Sequence, residues 1–340
     1  MAQTQIDKIF AFLDQTTEKL RKFLNVPYRD ALSENIFNII EQKTHIEDGY
    51  PTAAQAQELD KLYQNFELRD YPLWDVKRAI ELTIIKAQKV DNLDVNLLMT
   101  PDIIGTLSAL VIAEIFRHYP QPQLETMDAA IGTGNLLIEA NRELQKSTKL
   151  RLAMHGIDND YHSLEIASAL GEVLQNKIDL YHQDAVAHWL HNGYDLILSD
   201  LPVGYYPLDE NVNNFQTKAA TGHSYAHHLL MEQAMQNVHP AGIGLFIVPS
   251  QIFETKQAQN LAHWMVTAVY LQAVLSLPQS LFASPQAAKS LLVLQRHGAG
   301  AQQSKEVLMG QIPDLKDTSA IIKFKDQLQD WTKKTFVWEK

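Results

Sequence analysis

Two rhythms of apolar residues divide the chain. Over residues 1–95 apolar positions return every three to four residues. In "IDKIFAFLDQTTEKLRKFL" they are Ile6, Ile9, Phe10, Leu13, Leu20 and Phe23, the spacing of one helical face. "SENIFNIIEQ" predicts a second helix with Ser33 as N-cap, and "PTAAQAQELDKLYQNFEL" a third that begins at Pro51 and Thr52. "PLWDVKRAIELTIIKAQKV" predicts a fourth after Pro72, with Trp74, Ala79, Leu82, Ile85 and Ala87 facing inward. No strand-like alternation interrupts them. The expectation is an all-helical N-terminal domain over 1–95, its apolar stripes packed into its own core.

After a linker, "DNLDVNLLMTPD", short apolar runs alternate with helical stretches. "LETMDAAI", "LAMHGID", "IDLYHQDA", "YDLILSDLP", "GIGLFIVPS", "LQAVLSLP" and "KSLLVLQRHG" read as strands. "GNLLIEANRELQK", "YHSLEIASALGEVLQN", "SYAHHLLMEQAMQNV" and "QAQNLAHWMVTAV" read as the helices between them. Repeated units of this kind predict an α/β domain over 96–340: a Rossmann-like, doubly wound, mostly parallel sheet covered on both faces. Ligands of such sheets bind at the carboxyl ends of the strands. The closing "KFKDQLQDWTKKTFVWEK" is basic and amphipathic and predicts a surface helix, the alternative being a partner contact.

Composition narrows the function classes. The chain has no cysteine, which removes disulfides and cysteine-held zinc. "MAQTQIDKIF" lacks the basic and apolar regions of a secretory signal, and no apolar run is long enough to span a bilayer. The expectation is a soluble, cytoplasmic protein without a membrane partner. The net charge is −11, with 12 basic and 16 acidic residues in 1–95 and 17 and 24 in the remainder. Acidity spread this evenly argues against a large basic groove, so a nucleic-acid site is local or completed by a partner.

The chemistry-bearing residues fall at the predicted strand ends. "MDAAIGTGNLL" ends a strand at Asp128 and passes through Ala129, Ala130, Gly132 and Gly134 into a helix. Such a turn lets a ligand approach the backbone. A dinucleotide fingerprint wants a third glycine where Leu137 stands, so the turn does not favour NAD. Asp158, followed by Asn159 in "GIDND", is placed to accept ribose hydroxyls; the alternative is a helix N-cap by Asp158 or Asp160. Asp184, followed by Ala185, suits an exocyclic adenine amine, or is a turn aspartate. Asp200, Leu201, Pro202, Val203, Gly204, Tyr205 and Tyr206 put an acceptor, a rigid proline and aromatics where a planar amine could be held.

This ordered set resembles the class I S-adenosylmethionine-dependent methyltransferases, specifically the N6-adenine DNA methyltransferase family. That family includes type I restriction modification subunits and a small stand-alone YtxK-like bacterial branch. "LLMTPDIIGTLSALV" is similar to the family's threonine-proline segment, which puts Thr100 and Pro101 against the cofactor's methionine end. "MDAAIGTGNLL" is similar to its D-P-A-C-G-T-G turn, with Ala129 for proline and Ile131 for cysteine. "GIDND", "QDA", "AGIGLFIVPS" and "LSLPQSLFASPQAAKSLLVL" follow in the family's order. The resemblance implies a seven-stranded methyltransferase sheet and S-adenosyl-L-methionine as cofactor. It implies DNA or another nucleic acid as substrate, with recognition supplied in part by a partner subunit.

The family loop reads Asn or Asp, Pro, Pro, then Tyr or Phe. Its first side chain and second carbonyl accept hydrogen bonds from the target amine, and its aromatic stacks on the flipped base. Here Asp200 keeps the acceptor, Leu201 keeps a carbonyl, Pro202 is retained and Val203 replaces the aromatic. Tyr205 or Tyr206 is then the candidate platform. The alternative is a catalytically weakened protein that binds the cofactor and a partner; an NAD-dependent oxidoreductase is the third reading. "NVNNFQTKAATGHS" reads as a mobile loop over the site, Lys218, Lys256 and Lys289 as scattered phosphate contacts, and His223, His227 and His228 as packing or surface residues rather than metal ligands.

Overall fold

The structure, a computed structural model, describes residues 4–338. Met1–Gln3 of the segment tested for a signal, and Glu339 and Lys340 of the closing stretch, lie outside the described residues. In chain order the helices are α1 Gln5–Leu24, α2 Tyr28–Glu41, α3 Ala53–Tyr63, α4 Leu73–Val90, α5 Asp102–Ile115, α6 Asn135–Ser147, α7 Tyr161–Val173, α8 Ala226–Gln236, α9 Ala258–Ala268 and α10 Thr318–Thr335. The strands are β1 Gln123–Asp128, β2 Arg151–Asp158, β3 Ile178–His182, β4 Tyr194–Asp200, β5 Val238–Pro249, β6 Val269–Ser276, β7 Lys289–Arg296 and β8 Leu308–Gln311. Two compact units result: residues 1–99 with 132–134 and 160–178, and residues 100–131 with 135–159 and 179–340. No described helix is long and apolar enough to cross a membrane.

The first unit is helical, and α1 packs on α2, α3 and α4 while α2 packs on α7. Ile9, Leu13 and Leu20 are buried as their spacing predicts. On α4 the phase differs from expectation: Ala79 and Ala87 are buried, but Leu82 and Ile85 are exposed. Val76, Ile80 and Ile84 take the inward places. The helix is apolar on two sides, so periodicity alone does not say which side meets α1 and α2. Ser33 is not an N-cap. It lies inside α2, buried, and its hydroxyl donates to the Asp30 carbonyl at 3.0 Å. The helix begins at Tyr28, where the Asp91 carboxylate accepts from the Tyr28 and Arg29 amides at 3.0 and 2.7 Å. Thr52 does cap α3: its hydroxyl accepts from the Gln55 amide, and its own amide donates to the Gln55 side chain at 2.9 Å.

The core of this unit also holds a polar knot. Buried Asn35 donates to Thr16 and Thr17 at 2.9 and 3.0 Å, and the Tyr63 hydroxyl donates to its side-chain oxygen at 2.9 Å. Every polar group of that knot is matched, which fixes how α1, α2 and α3 meet. Arg29 forms a two-pronged pair with Asp160 at 3.0 and 3.2 Å, joining α2 to the start of α7.

The second unit is built on one eight-stranded sheet of order β3-β2-β1-β4-β5-β7-β6-β8. β1 pairs in parallel with β2 and β4, as do β4 with β5 and β6 with β8; β7 runs antiparallel to β5 and β6. All seven predicted strands are present. The eighth, "LMGQ", is a short edge strand with three of its four residues exposed, so it has no apolar signature. Central β4 and β5 are buried over most of their length, whereas β3 is half-buried until its exposed last residue, His182, as an edge strand should be. α6 packs on β2 and β4, α8 on β5 and β7, and α9 on β6. The linker reading stops where a helix not read from the sequence begins: Asp102–Ile115 form α5, whose mostly apolar run "IIGTLSALVIAEI" conceals the helical period. The closing basic stretch is helical as far as Thr335: it lies in α10, which packs on α5 and buries Phe324 and Leu328, and Trp338 stacks on Phe116 beyond it. The chain reverses its outward winding between β1 and β4, where open α/β sheets present a crevice.

Candidate active site

Parallel pairing brings the carboxyl ends of β1, β2 and β4 to one edge. Asp128 closes β1 opposite Gly156 of β2, Asp158 closes β2, and Asp200 closes β4 opposite Ile247. The Gln183 amide donates to the Asp158 carbonyl at 3.1 Å, which ties the turn carrying Asp184 and Ala185 to the same edge.

Asp128 is buried and accepts from the Ala130 amide at 3.0 Å. Burial, reinforced by the carboxylates of Asp200 and Asp158, pushes its pKa up to about 8. It therefore holds a proton at neutral pH. After it the chain turns tightly: the Ile131 amide donates to the Ile157 carbonyl at 3.0 Å. A Cβ on Gly156 would stand 2.2 Å from Ile131, so only glycine lets the turn lie on β2. Gly132 and Gly134 have φ of +51° and +79°, and at Gly132 there is open space where a Cβ would point. Thr133 Oγ1 and Asn135 Oδ1 are buried with no hydrogen-bond partner. Unmet polar atoms and open space at the start of α6 fit a polar ligand better than dry packing.

Asp160 takes the capping role left open between it and Asp158, accepting from the Ser163 amide at 2.9 Å at the head of α7. Asn159 is exposed, and its carbonyl lies 3.2 Å from His182 Nε2. Asp184 accepts from the Val186 amide at 2.9 Å, and its other oxygen accepts from the Tyr206 hydroxyl. Ala185 is buried, its carbonyl accepting from Trp189 Nε1 at 2.8 Å.

At Asp200 one oxygen accepts from Thr100 Oγ1 at 3.0 Å and the other from Lys289 Nζ at 2.5 Å. Thr100 is itself anchored, its carbonyl accepting from Asn135 at 2.7 Å, and exposed Pro101 leads into α5. Leu201 is buried and its amide donates to the Ile247 carbonyl at 3.1 Å, a bond that a proline at this position would lose. Pro202 is half-buried, and its carbonyl accepts from the ring of His227.

The two tyrosines of the loop divide. Tyr206 is packed inward against Asp184; burial and that bond push its phenol up to about 12, and it is not a stacking surface. Tyr205 is 60% exposed and stacks on Tyr225, centroids 4.9 Å apart and planes 10° from parallel. Val203 is exposed.

Two expectations change. The segment 211–224 is tied down rather than loose. The Gln216 and Thr217 amides donate to Glu232 at 3.0 and 2.8 Å, and Asn260 donates to the Lys218 carbonyl at 2.7 Å. Lys289 is no scattered phosphate contact. Register places it opposite Pro249, at the site's edge, and it pairs with Asp200. Its 89-residue distance from Asp200 hid it, since an antiparallel strand brings its first residue, not its last, to this edge. His227 and His228 are buried, their pKa values driven down to about 4 and 3 by burial, while His223 pairs with Asp209 at 2.8 Å. Among the described residues no group of three or more His, Asp or Glu could hold a metal.

Residues 98–336 match the N-6 DNA Methylase family, and residues 7–88 the YtxK N-terminal helical domain. The uncharacterized protein YtxK of Bacillus subtilis (strain 168) is 31% identical over 334 residues, 98% of this chain and 99% of that one. A Listeria monocytogenes chain described as a proposed class I S-adenosylmethionine-dependent methyltransferase is 28% identical. It has a TM-score of 0.85, with 96% of this chain and 98% of that one covered. The methyltransferase subunit of a type I restriction-modification system from Streptococcus thermophilus shares the fold. It is 13% identical at a TM-score of 0.62, over 95% of this chain and 74% of that one.

Proposed function

This chain belongs to the N-6 DNA methylase family, and we propose that it is a cytoplasmic S-adenosylmethionine-dependent N-methyltransferase acting on the amine of a nucleic-acid base, adenine N6 in DNA foremost. The observation that carries this is Asp200, held at the tip of β4 by Thr100, on the same sheet edge as Asp128, Asp158 and Asp184. We assign Thr100, Pro101, Asp128 and Ala130 to the amino-acid end of the cofactor, Gly132 and Gly134 to its close approach, Asp158 and Asn159 to its ribose, and Asp184 and Ala185 to its adenine. When bound, the cofactor would supply an electrophilic methyl on its sulfonium to the amine nitrogen and would leave as the thioether S-adenosylhomocysteine, and the proton shed by the amine would pass to solvent.

The chain's own residues then do the positioning. Asp200 accepts one amine hydrogen and the Leu201 carbonyl the other, while Pro202 stiffens the loop. Tyr205, with Tyr225 beneath it, offers the exposed aromatic face that Val203 does not. We take 1–95 as a helical domain and 96–340 as the transferase domain, and assign the helical domain to a partner subunit or to DNA. The test is transfer of labelled methyl groups to DNA and RNA by full-length protein shown to bind the cofactor. Transfer to DNA that disappears in Asp200→Ala is expected; no transfer to either polymer refutes the proposal. A second reading, a cofactor-binding partner protein, is favoured by exposed Val203 and by the two donors already on Asp200. It requires Asp200→Ala to retain biological function.

A further inference from the structure

The pairing of Lys289 with Asp200 gives the acceptor side of the site a donor as well as an acceptor. Their side chains are 25% and 14% exposed, so both can be reached from outside. An ammonium has three hydrogens, and one is used toward Asp200. A carboxylate offers about four lone-pair positions, and Asp200 fills two of them with Lys289 and Thr100. Capacity for an incoming group therefore remains on both partners. The two contact atoms, Nζ and Oδ1, are 2.5 Å apart. A donor and an acceptor this close resemble the fork of a carboxamide, the group that reads the amine and neighbouring ring nitrogen of adenine.

We propose that Lys289 selects the methyl acceptor, donating to the ring nitrogen beside the target amine while Asp200 accepts from that amine. This rests on the methyl-transfer reading above. Charge supports it. The ammonium and the carboxylate cancel, so the pair suits a neutral, dipolar edge better than a phosphate or an alkylammonium. A simple alkylamine offers no acceptor beside its nitrogen and would leave the ammonium hydrogens unmet. The exposed Tyr205 on its Tyr225 support lies on the loop that follows Asp200 and supplies a flat face, which favours an aminated ring over a carboxamide side chain.

The test uses the full-length protein, Lys289→Met and Lys289→Arg. Substrates are random-sequence oligonucleotides in which adenine is kept or replaced throughout by 1-deazaadenine or 7-deazaadenine. Labelled methyl transfer gives kcat/KM, and calorimetry with S-adenosylhomocysteine reports the cofactor site and the fold. The wild type should lose about 10–100-fold on the analogue that lacks the ring nitrogen being read, the size expected for one hydrogen bond from a charged donor. Lys289→Met should lose as much on adenine and nothing more on that analogue, Lys289→Arg should recover part of the rate, and S-adenosylhomocysteine affinity should hold in all three. The analogue also changes the intrinsic reactivity of the amine, which the comparison between variants cancels. If the losses multiply, or Lys289→Met keeps full activity, the inference is overturned while the methyltransferase reading stands. If wild type binds cofactor but methylates only protein carboxamides, or nothing, both fall.

Discussion

Replacing Asp128 with asparagine should make the protein more stable, and more so the higher the pH. Asp128 is buried and its pKa is pushed up to about 8, chiefly by desolvation. In the unfolded chain an aspartate ionises near pH 4. Between those values folding requires the carboxyl to take up a proton. The stability this group allows is therefore complete below about pH 4 and is lost as pH rises toward 8. The loss runs at about 1.36 kcal/mol per pH unit, or roughly 4 kcal/mol between pH 5 and 8 as an upper bound. Asp128→Asn keeps the shape and carries no charge at any of these pH values. The advantage of the variant over wild type should grow with that slope and level off above pH 8. Urea denaturation of both proteins from pH 5 to 9 measures it, and curves that run parallel across the range refute the reasoning. The same carboxyl is predicted to respond to the cofactor, whose sulfonium and ammonium charges favour its ionised form. Near pH 7 S-adenosylmethionine binding should release a proton from wild type and none from the variant, read by calorimetry in buffers of different ionisation enthalpy.

Three further outcomes are expected. Tyr205→Ala should cut kcat/KM for the nucleic-acid acceptor by about one to two factors of ten, from the loss of one base–aromatic contact, with S-adenosylhomocysteine affinity unchanged in calorimetry. Arg29→Met should cost about 1–3 kcal/mol in thermal or urea unfolding, because it strips a charged, two-pronged partner from partly buried Asp160. His228→Leu should hold or raise stability at pH 7, since both ring nitrogens are buried without partners. Wild type should lose stability relative to that variant as pH falls below about 6.5 and the buried ring is forced to charge, which denaturation at pH 4.5 against pH 7 would reveal.

Where a signal was local, the sequence carried it. Alternating apolar runs marked all seven long strands, and their order placed Asp128, Asp158, Asp184 and Asp200 at one sheet edge. What stayed hidden depends on partners far along the chain. Asp91 caps α2 from more than sixty residues away, so the reading fell on nearby Ser33 instead. Lys289 meets Asp200 through sheet register, which no short motif encodes. Tyr205 and Tyr206 are neighbours with the same chemistry, and only the packing of the loop sends one to Asp184 and the other to the surface. β8 escaped because four largely exposed residues cannot show a period.

The strand order has an evolutionary consequence. β1, β2 and β3 lie to one side of the reversal and β4, β5, β7 and β6 to the other. The positions assigned to the nucleoside ride on the first group, and Asp200 and Lys289 on the second. Drift in the loops after β4 and before β7 can therefore redirect what is modified while the donor side is inherited intact. The hydroxyl of Tyr206 on Asp184 is the stitch across that seam, so a lineage changing its target is expected to keep this tyrosine while its exposed neighbours vary.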